Sequence, residues 1–400
     1  MTVPQSRSRD YDLVLLGATG FTGALTAAYL AEHAPRDLRW AVAGRSRERV
    51  AEVRDRLLAE HPEAGEIGVV VADSSDRASL DALAGDTRLV ISTVGPYLQH
   101  GEPLVAACAA AGTDYVDLTG EAEFVDRTYL NHHATAVATG ARLVHACGFD
   151  SVPHDLGALF TVEQLPEGVP LTVRGVVRSS AQFSGGTFHS ALTAMSRMRQ
   201  ARDAHAQRRR REGRPEGRSS RAVQGRPHRD PELGYWLLPL PTVDPSVVAR
   251  SGAALERYGP EFRYSHYAGL RSLPYAVGGA VGAGALVVGA QIPPVRRQLL
   301  DRVKQGSGPD EERRARSWFT VDFIGEGGDV QVHTRVSGGD PGYGETSKML
   351  AESALCLLLD DNPPTAGQVT TAQAMGERLT DRLRAAGMRF EVIATSDHPG

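Results

Sequence analysis

The sequence predicts an α/β fold built on a doubly wound parallel sheet, and three observations over residues 11–160 predict it. Leu13 to Leu16 form a short, uninterrupted apolar run, as expected of a strand buried on both faces, and the run stops at Gly17. A second run, Trp40 to Ala43, ends in Gly44-Arg45-Ser46. Strand and helix patterns then alternate to about residue 147, a rhythm that gives parallel strands joined by right-handed crossovers.

The first strand runs directly into Gly17, Gly20 and Gly23, spaced G-x-x-G-x-x-G, and good helix formers follow from Ala24 to Glu32. Each glycine has a physical task. One makes the strand-to-helix turn, one lets backbone amides approach a pyrophosphate, and one lets the helix pack close on the strand. This is the Rossmann arrangement, with Thr19, Phe21 and Thr22 also in the turn and phosphate favoured at the helix N-terminus. A glycine triplet alone also fits an ordinary tight turn, so the second strand decides. Where a carboxylate would bind the ribose hydroxyl of NAD, this chain has Gly44, Arg45 and Ser46. A guanidinium and a hydroxyl suit a 2'-phosphate that a carboxylate would repel, and the expected cofactor is NADP(H).

The remaining elements follow in order. A helix over Glu48 to Glu60 precedes the strand Ile67 to Ala72, which delivers Asp73 and Ser74 to the same edge. A helix around Leu80 leads to the strand Leu89 to Ser92. The loop after it, Thr93-Val94-Gly95-Pro96-Tyr97, lies where open sheets bind ligands and should cover the nicotinamide half. Helix Pro103 to Ala111, strand Tyr115 to Leu118, helix Phe124 to Ala138 and strand Arg142 to Ala146 complete the pattern. The last of these runs into Cys147 to Gly157.

The motifs GATGFTG, AGR, TVGPY, YVDLTGE and CGFDSVPHD, in that order, resemble the saccharopine dehydrogenase-like (saccharopine reductase) NADP-binding superfamily. Within it they are most similar to the trans-acting enoyl reductases and saccharopine dehydrogenase-like oxidoreductases. The likeness covers residues 11–160 and resumes at Gly338 to Thr346, GGDPGYGET, with the helix Lys348 to Leu359. It implies an N-terminal Rossmann domain (11–160), a second α+β domain with a mixed sheet (161–337), and helices returning to the first domain (338–385). A C-terminal strand and tail (386–400) and a flexible N-terminus (1–10) complete the expected layout.

The middle of the chain is less legible. Leu171 to Arg178 and Met388 to Ile393 read as strands, and 318–336 reads as a hairpin around Glu326-Gly327-Gly328. Ser184 to Thr187 should start a helix running to about Arg202, with Thr187 as N-cap or active-site hydroxyl. Residues 201–230 hold ten arginines and are expected as a solvated, partly mobile insertion; an acidic carrier, a phosphopantetheine or a membrane surface are the other readings. Pro274 to Pro293 contains no charge and five glycines, which favours a helix packed in the protein or lying against a lipid interface over a membrane span.

Composition narrows the class. A chain of 400 residues, 41% hydrophobic and 23% charged, is globular, and a net charge of −4 gives no reason to expect nucleic acid. Three scattered cysteines argue against a disulfide framework, and no apolar leader is expected, which fits the cytoplasm. Lysine occurs only at 304 and 348, a coding bias in the manner of a GC-rich bacterium. A homodimer and peripheral membrane contact are compatible with the sequence.

The cofactor domain contains no lysine, so no Tyr-x-x-x-Lys pair is available as proton donor. Tyr97, Asp150 and His154 are the candidates, with His100 a fourth, because each follows a strand end. Asp150, His154 and Asp155 also fit structural hydrogen bonding, and no histidine and carboxylate spacing implies a metal. The resemblance implies hydride transfer to a C=C bond of a lipid or polyketide substrate, free or on a carrier. A saccharopine-type amino-acid or imine dehydrogenase and a non-catalytic, lipid-associated NADP-binding protein are the alternatives.

Overall fold

The computed structural model describes residues 9–180, 192–302 and 311–397. The expected helix start at 184–187, Thr187 included, lies outside the described residues.

The first layer follows from strands that are apolar on both faces. β1 (Tyr11–Leu16), α1 (Phe21–His33), β2 (Trp40–Gly44), α2 (Arg47–Glu60), β3 (Ile67–Val71), α3 (Arg77–Gly85) and β4 (Thr87–Ser92) alternate as expected. α4 (Tyr97–His100), α5 (Glu102–Ala111), β5 (Asp114–Asp117), α6 (Ala122–Thr139) and β6 (Arg142–Val144) follow. Seven strands pair in parallel, in the order β14-β6-β5-β4-β1-β2-β3, where β14 is a late arrival (Gly367–Val369). Leu13, Val14 and Leu15 are fully buried, which explains why β1 reads as a continuous apolar run. β1 lies between β2 and β4, so the strand order reverses there and a crevice opens beyond Leu16 and Ser92.

The second layer begins with α7 (Val152–Glu163) and β7 (Leu171–Ser179), followed by α8 (Met198–Glu212), β8 (Ser219–Ala222), β9 (His228–Arg229) and β10 (Trp236–Pro239). After α9 (Asp244–Ala254) come β11 (Glu261–Leu270), α10 (Leu273–Gln291), α11 (Pro293–Arg302) and α12 (Glu311–Ala315). The hairpin β12 (Phe319–Gly327) and β13 (Val330–Gly338) forms where the sequence predicts one. Its sheet is mixed: β15-β13-β12-β7-β11-β10-β9, with β8 also paired to β11, and β7 running parallel to β11. α13 (Gly344–Leu359) returns to pack on α1, β4 and β5. α14 (Thr371–Ala374), α15 (Gly376–Ala385) and β15 (Arg389–Asp397) end the described chain.

Four expectations change. The tail is ordered to Asp397, because β15 pairs along β13 from Arg389 onward. Arg9 is tied down by bonds to Thr113 Oγ1 (3.0 Å) and to the Ala111 and Gly112 carbonyls. The arginine-rich stretch is mostly exposed, as expected, but it is anchored to the fold at Arg208 and Arg218. Arg208 is buried and pairs with Asp126 of α6 and with Glu212, which in turn meets Arg250 at 2.9 Å. Arg218 caps the Gly252 carbonyl at 2.9 Å. The two anchoring charges are retained because Arg208 meets Asp126 of α6 and Arg218 meets backbone carbonyls beyond its own segment. Lastly, α10 is a helix, as its composition suggests, but it touches β10 and β11 only along part of its surface and is largely exposed, unlike a helix packed in the protein. Val277, Val281 and Val288 are exposed, and it is long and apolar enough to cross a membrane by length and composition.

Removing one partner of a buried ion pair strands the other charge, at a cost of about 3–5 kcal/mol. Arg208→Ala should therefore lower the urea midpoint of unfolding substantially, whereas replacing exposed Arg209 should leave it unchanged. Equal midpoints for the two variants would show that Arg208 is not a structural tie.

Candidate active site

β1 hands over to Gly17, whose φ of +97° is open to glycine and strained for other residues. A Cβ on Gly17 would lie 2.5 Å from Thr93 Oγ1, and one on Gly23 would lie 2.1 Å from the Gly17 carbonyl oxygen. Three pieces of backbone therefore meet where no side chain fits. α1 starts on an extended Gly20, with no side-chain cap and no acid in its first turn. Its first amides are open donors, and Thr19 and Gly20 are exposed beside them. A diphosphate fits this cradle, since unpaired N–H groups and the helix dipole both favour negative charge.

The turn expected to face the ribose lies one strand over. A Cβ on Gly44 would sit 4.0 Å from Thr19, so the two turns adjoin, and Arg45 follows on the exposed surface. Ser46 caps α2, accepting from Arg49 N (3.3 Å) and donating to Glu48 (2.8 Å). Beyond β3, the Ser75 amide and hydroxyl hold the Asp73 carboxyl below its usual range, and the Arg45 charge lowers it further. Arg45 and Asp73 thus come within electrostatic reach of each other, with half-buried Ser74 beside them.

At the other end, Thr93 and Val94 press on Gly17, and Gly95 and Pro96 lead into α4. The carboxylate of buried Glu121 accepts from Tyr97 N (3.1 Å) and Leu98 N (2.9 Å), pinning this loop. Tyr97 differs from the proton-donor expectation. Its ring is buried and its hydroxyl donates to the Ser92 carbonyl at 3.0 Å, on the inside of the loop. Burial, and then the Asp117 charge, keep this phenol protonated. His100 is exposed at the end of α4.

The turn from Cys147 to Ser151 is bent sharply, with positive φ at Ala146 (+60°) and Ser151 (+122°). It places half-buried Asp150 against Gly120, where a Cβ would sit 2.8 Å from Asp150 Oδ2. Burial, and then the charge of Asp244, push the Asp150 carboxyl up to about 7. His154 enters from the first turn of α7, Asp244 from the start of α9 and His266 from the middle of β11. His154 Nδ1 is 3.3 Å from Asp244 Oδ1, and His266 Nε2 is 3.6 Å from Asp244 Oδ2. Burial lowers both imidazoles against the pull of Asp244, His266 to about 3. Burial also penalises the Asp244 carboxylate, yet the two histidines hold it below its usual value. Asp155 has the structural role: it accepts from the Thr371 hydroxyl (2.7 Å), the Ala372 amide (2.8 Å) and Ser251.

The late glycine-rich loop closes this assembly. Tyr343 stands edge-on to Phe21 at 4.7 Å, and Ser347 donates to the Thr22 carbonyl at 3.5 Å. Thr346 Oγ1 accepts from Phe149 N at 3.1 Å and donates to the Pro341 carbonyl. One loop therefore joins the glycine turn to the 147–151 turn. Sequence reasoning missed Glu121, Asp244 and His266 as site residues. Glu121 stood inside a motif it quoted, but the other two lie far apart in a region with no recognised element.

Comparison with known proteins agrees with this geometry. Residues 13–144 match the model of the saccharopine dehydrogenase NADP binding domain. A Mycobacterium tuberculosis (H37Rv) protein provisionally named a trans-acting enoyl reductase is 40% identical, over 96% of this chain and 97% of its own. The trans-acting enoyl reductase of Mycobacterium leprae is 36% identical, over 97% and 98% respectively. Among solved structures, saccharopine dehydrogenase (L-Glu forming) of Saccharomyces cerevisiae shares the fold, with a TM-score of 0.55 at 13% identity over 96% of this chain and all of that one. The glycine turn lies within the matched NADP-binding domain, and the chain belongs to the trans-acting enoyl reductase family of NADP-binding oxidoreductases.

Proposed function

We propose that this chain is an NADPH-dependent enoyl reductase acting on the C=C bond of a lipid or polyketide acyl group presented on a carrier. The whole-length likeness to proteins named trans-acting enoyl reductases carries this reading, and the open phosphate cradle supports it. NADPH, when bound, supplies the hydride. The Gly17 to Gly23 backbone holds the diphosphate, and Arg45 offers a guanidinium to the 2'-phosphate. The Thr93 to Pro96 loop, fixed by Glu121, lines the nicotinamide half. Asp150 hands a proton to the α carbon as hydride arrives at the β carbon; the burial that dominates its shift keeps that proton available near neutral pH. The basic surface around Arg209 and Arg210 suits an acidic carrier, and exposed α10 suits a lipid surface in a cytoplasmic, membrane-associated protein.

Stopped-flow absorbance tests the reading: the chain should oxidise NADPH when given an enoyl thioester on an acyl carrier. Amine-dependent reduction of NADP with no enoyl activity would overturn it. Asp150→Asn should lower kcat about 10²-fold or more, the usual worth of a general acid, and leave NADPH affinity unchanged. An unaltered kcat would remove Asp150 from the chemistry.

A further inference from the structure

His154, Asp244 and His266 form a cluster that neither hydride transfer nor cofactor binding uses. All three are buried, at 2%, 2% and 5% exposure, and their ligand atoms lie within 4.8 Å of one another. We propose that these three side chains form a binding site for one divalent transition-metal ion of the zinc class.

The distances argue for it. Two ligands each about 2.0 Å from a tetrahedral ion lie about 3.3 Å apart. The His154 to Asp244 separation is 3.3 Å and the His266 to Asp244 separation is 3.6 Å, on different carboxylate oxygens. An ordinary hydrogen-bonded pair would be shorter and better aligned.

A second observation points to a ligand independently. Neither ring nitrogen of His154 has a hydrogen-bond partner among the described residues, although both are sealed from solvent. Phe149 stands edge-on to the ring, 5.4 Å between centroids. A buried imidazole whose Nδ1 has only the 3.3 Å approach of Asp244, and whose Nε2 meets no partner among the described residues, costs stability unless something occupies the space it faces. The outer contacts are those a metal histidine and carboxylate use. Tyr264 OH sits 3.0 Å from His266 Nδ1, fixing the ring so that Nε2 faces Asp244, and Ser151 Oγ donates to Asp244 Oδ1 at 3.4 Å. Two histidines and one carboxylate suit zinc, iron(II) or manganese(II) and leave a position open for water or a substrate oxygen. The ligands come from a helix, a second helix and a strand, all rigid elements.

The test uses the full chain, stripped of metal by a chelator and titrated with cobalt(II), a spectroscopic stand-in for zinc. Visible ligand-field bands should saturate at one equivalent and be displaced by zinc. His154→Ala and His266→Ala should each weaken binding at least tenfold, and the milder Asp244→Asn covers the case in which Asp244→Ala does not fold. Circular dichroism and NADPH titration establish that each variant is folded, so the site and the reductase reading fail separately. Folded wild-type protein that develops no bands, or histidine variants that bind cobalt as the parent does, would overturn the proposal.

Discussion

The architecture depends on a steric constraint: backbone passes where a single Cβ would not fit. A Cβ on Gly23 would strike the Gly17 carbonyl, and one on Gly17 would strike the Thr93 hydroxyl. That approach brings β1, α1 and the loop after β4 to one point at the reversal of strand order, and leaves the first amides of α1 uncapped. A parallel sheet gathers loops at the carboxyl ends of its strands; the glycines decide which of them can cradle an anion.

Around that point the molecule invests buried polar groups in holding loops still. Glu121 fixes the loop after β4 through two backbone amides, and Asp155 joins α7 to α14. Asp117 accepts from the Tyr115 hydroxyl at 3.0 Å and pairs with His145 at 2.7 Å at the end of β5. Each carboxylate is buried and satisfied by donors from segments remote in sequence. Losing any of them would leave buried donors unsatisfied as well as a slack loop. The same economy explains why α8, most of which falls in the stretch that reads as a solvated insertion, is anchored by Arg208.

Legibility in the sequence tracked the range of the interaction. The glycine turn, the alternation and the hairpin at Glu326 to Gly328 are specified by residues a few positions apart, so period and spacing reveal them. The roles of Tyr97 and Arg208 could not be read that way. Tyr97 follows a strand end as a donor would, yet its hydroxyl turns inward to Ser92, and Arg208 looks exposed until Asp126 is placed beside it. Asp244 and His266 meet His154 only because β11 pairs with β7 and α9 packs on α7. α10 was legible as a helix, but the choice between packing in the protein and lying exposed was not, since composition does not say what covers an apolar surface.

The account rests on this turn binding a dinucleotide diphosphate, with Arg45 choosing the phosphorylated ribose. Titration calorimetry of the purified chain with NADPH and with NADH measures that directly. One site per chain, with NADPH bound at least tenfold more tightly, is the predicted result; equal affinity, tighter NADH, or no heat with either would contradict it.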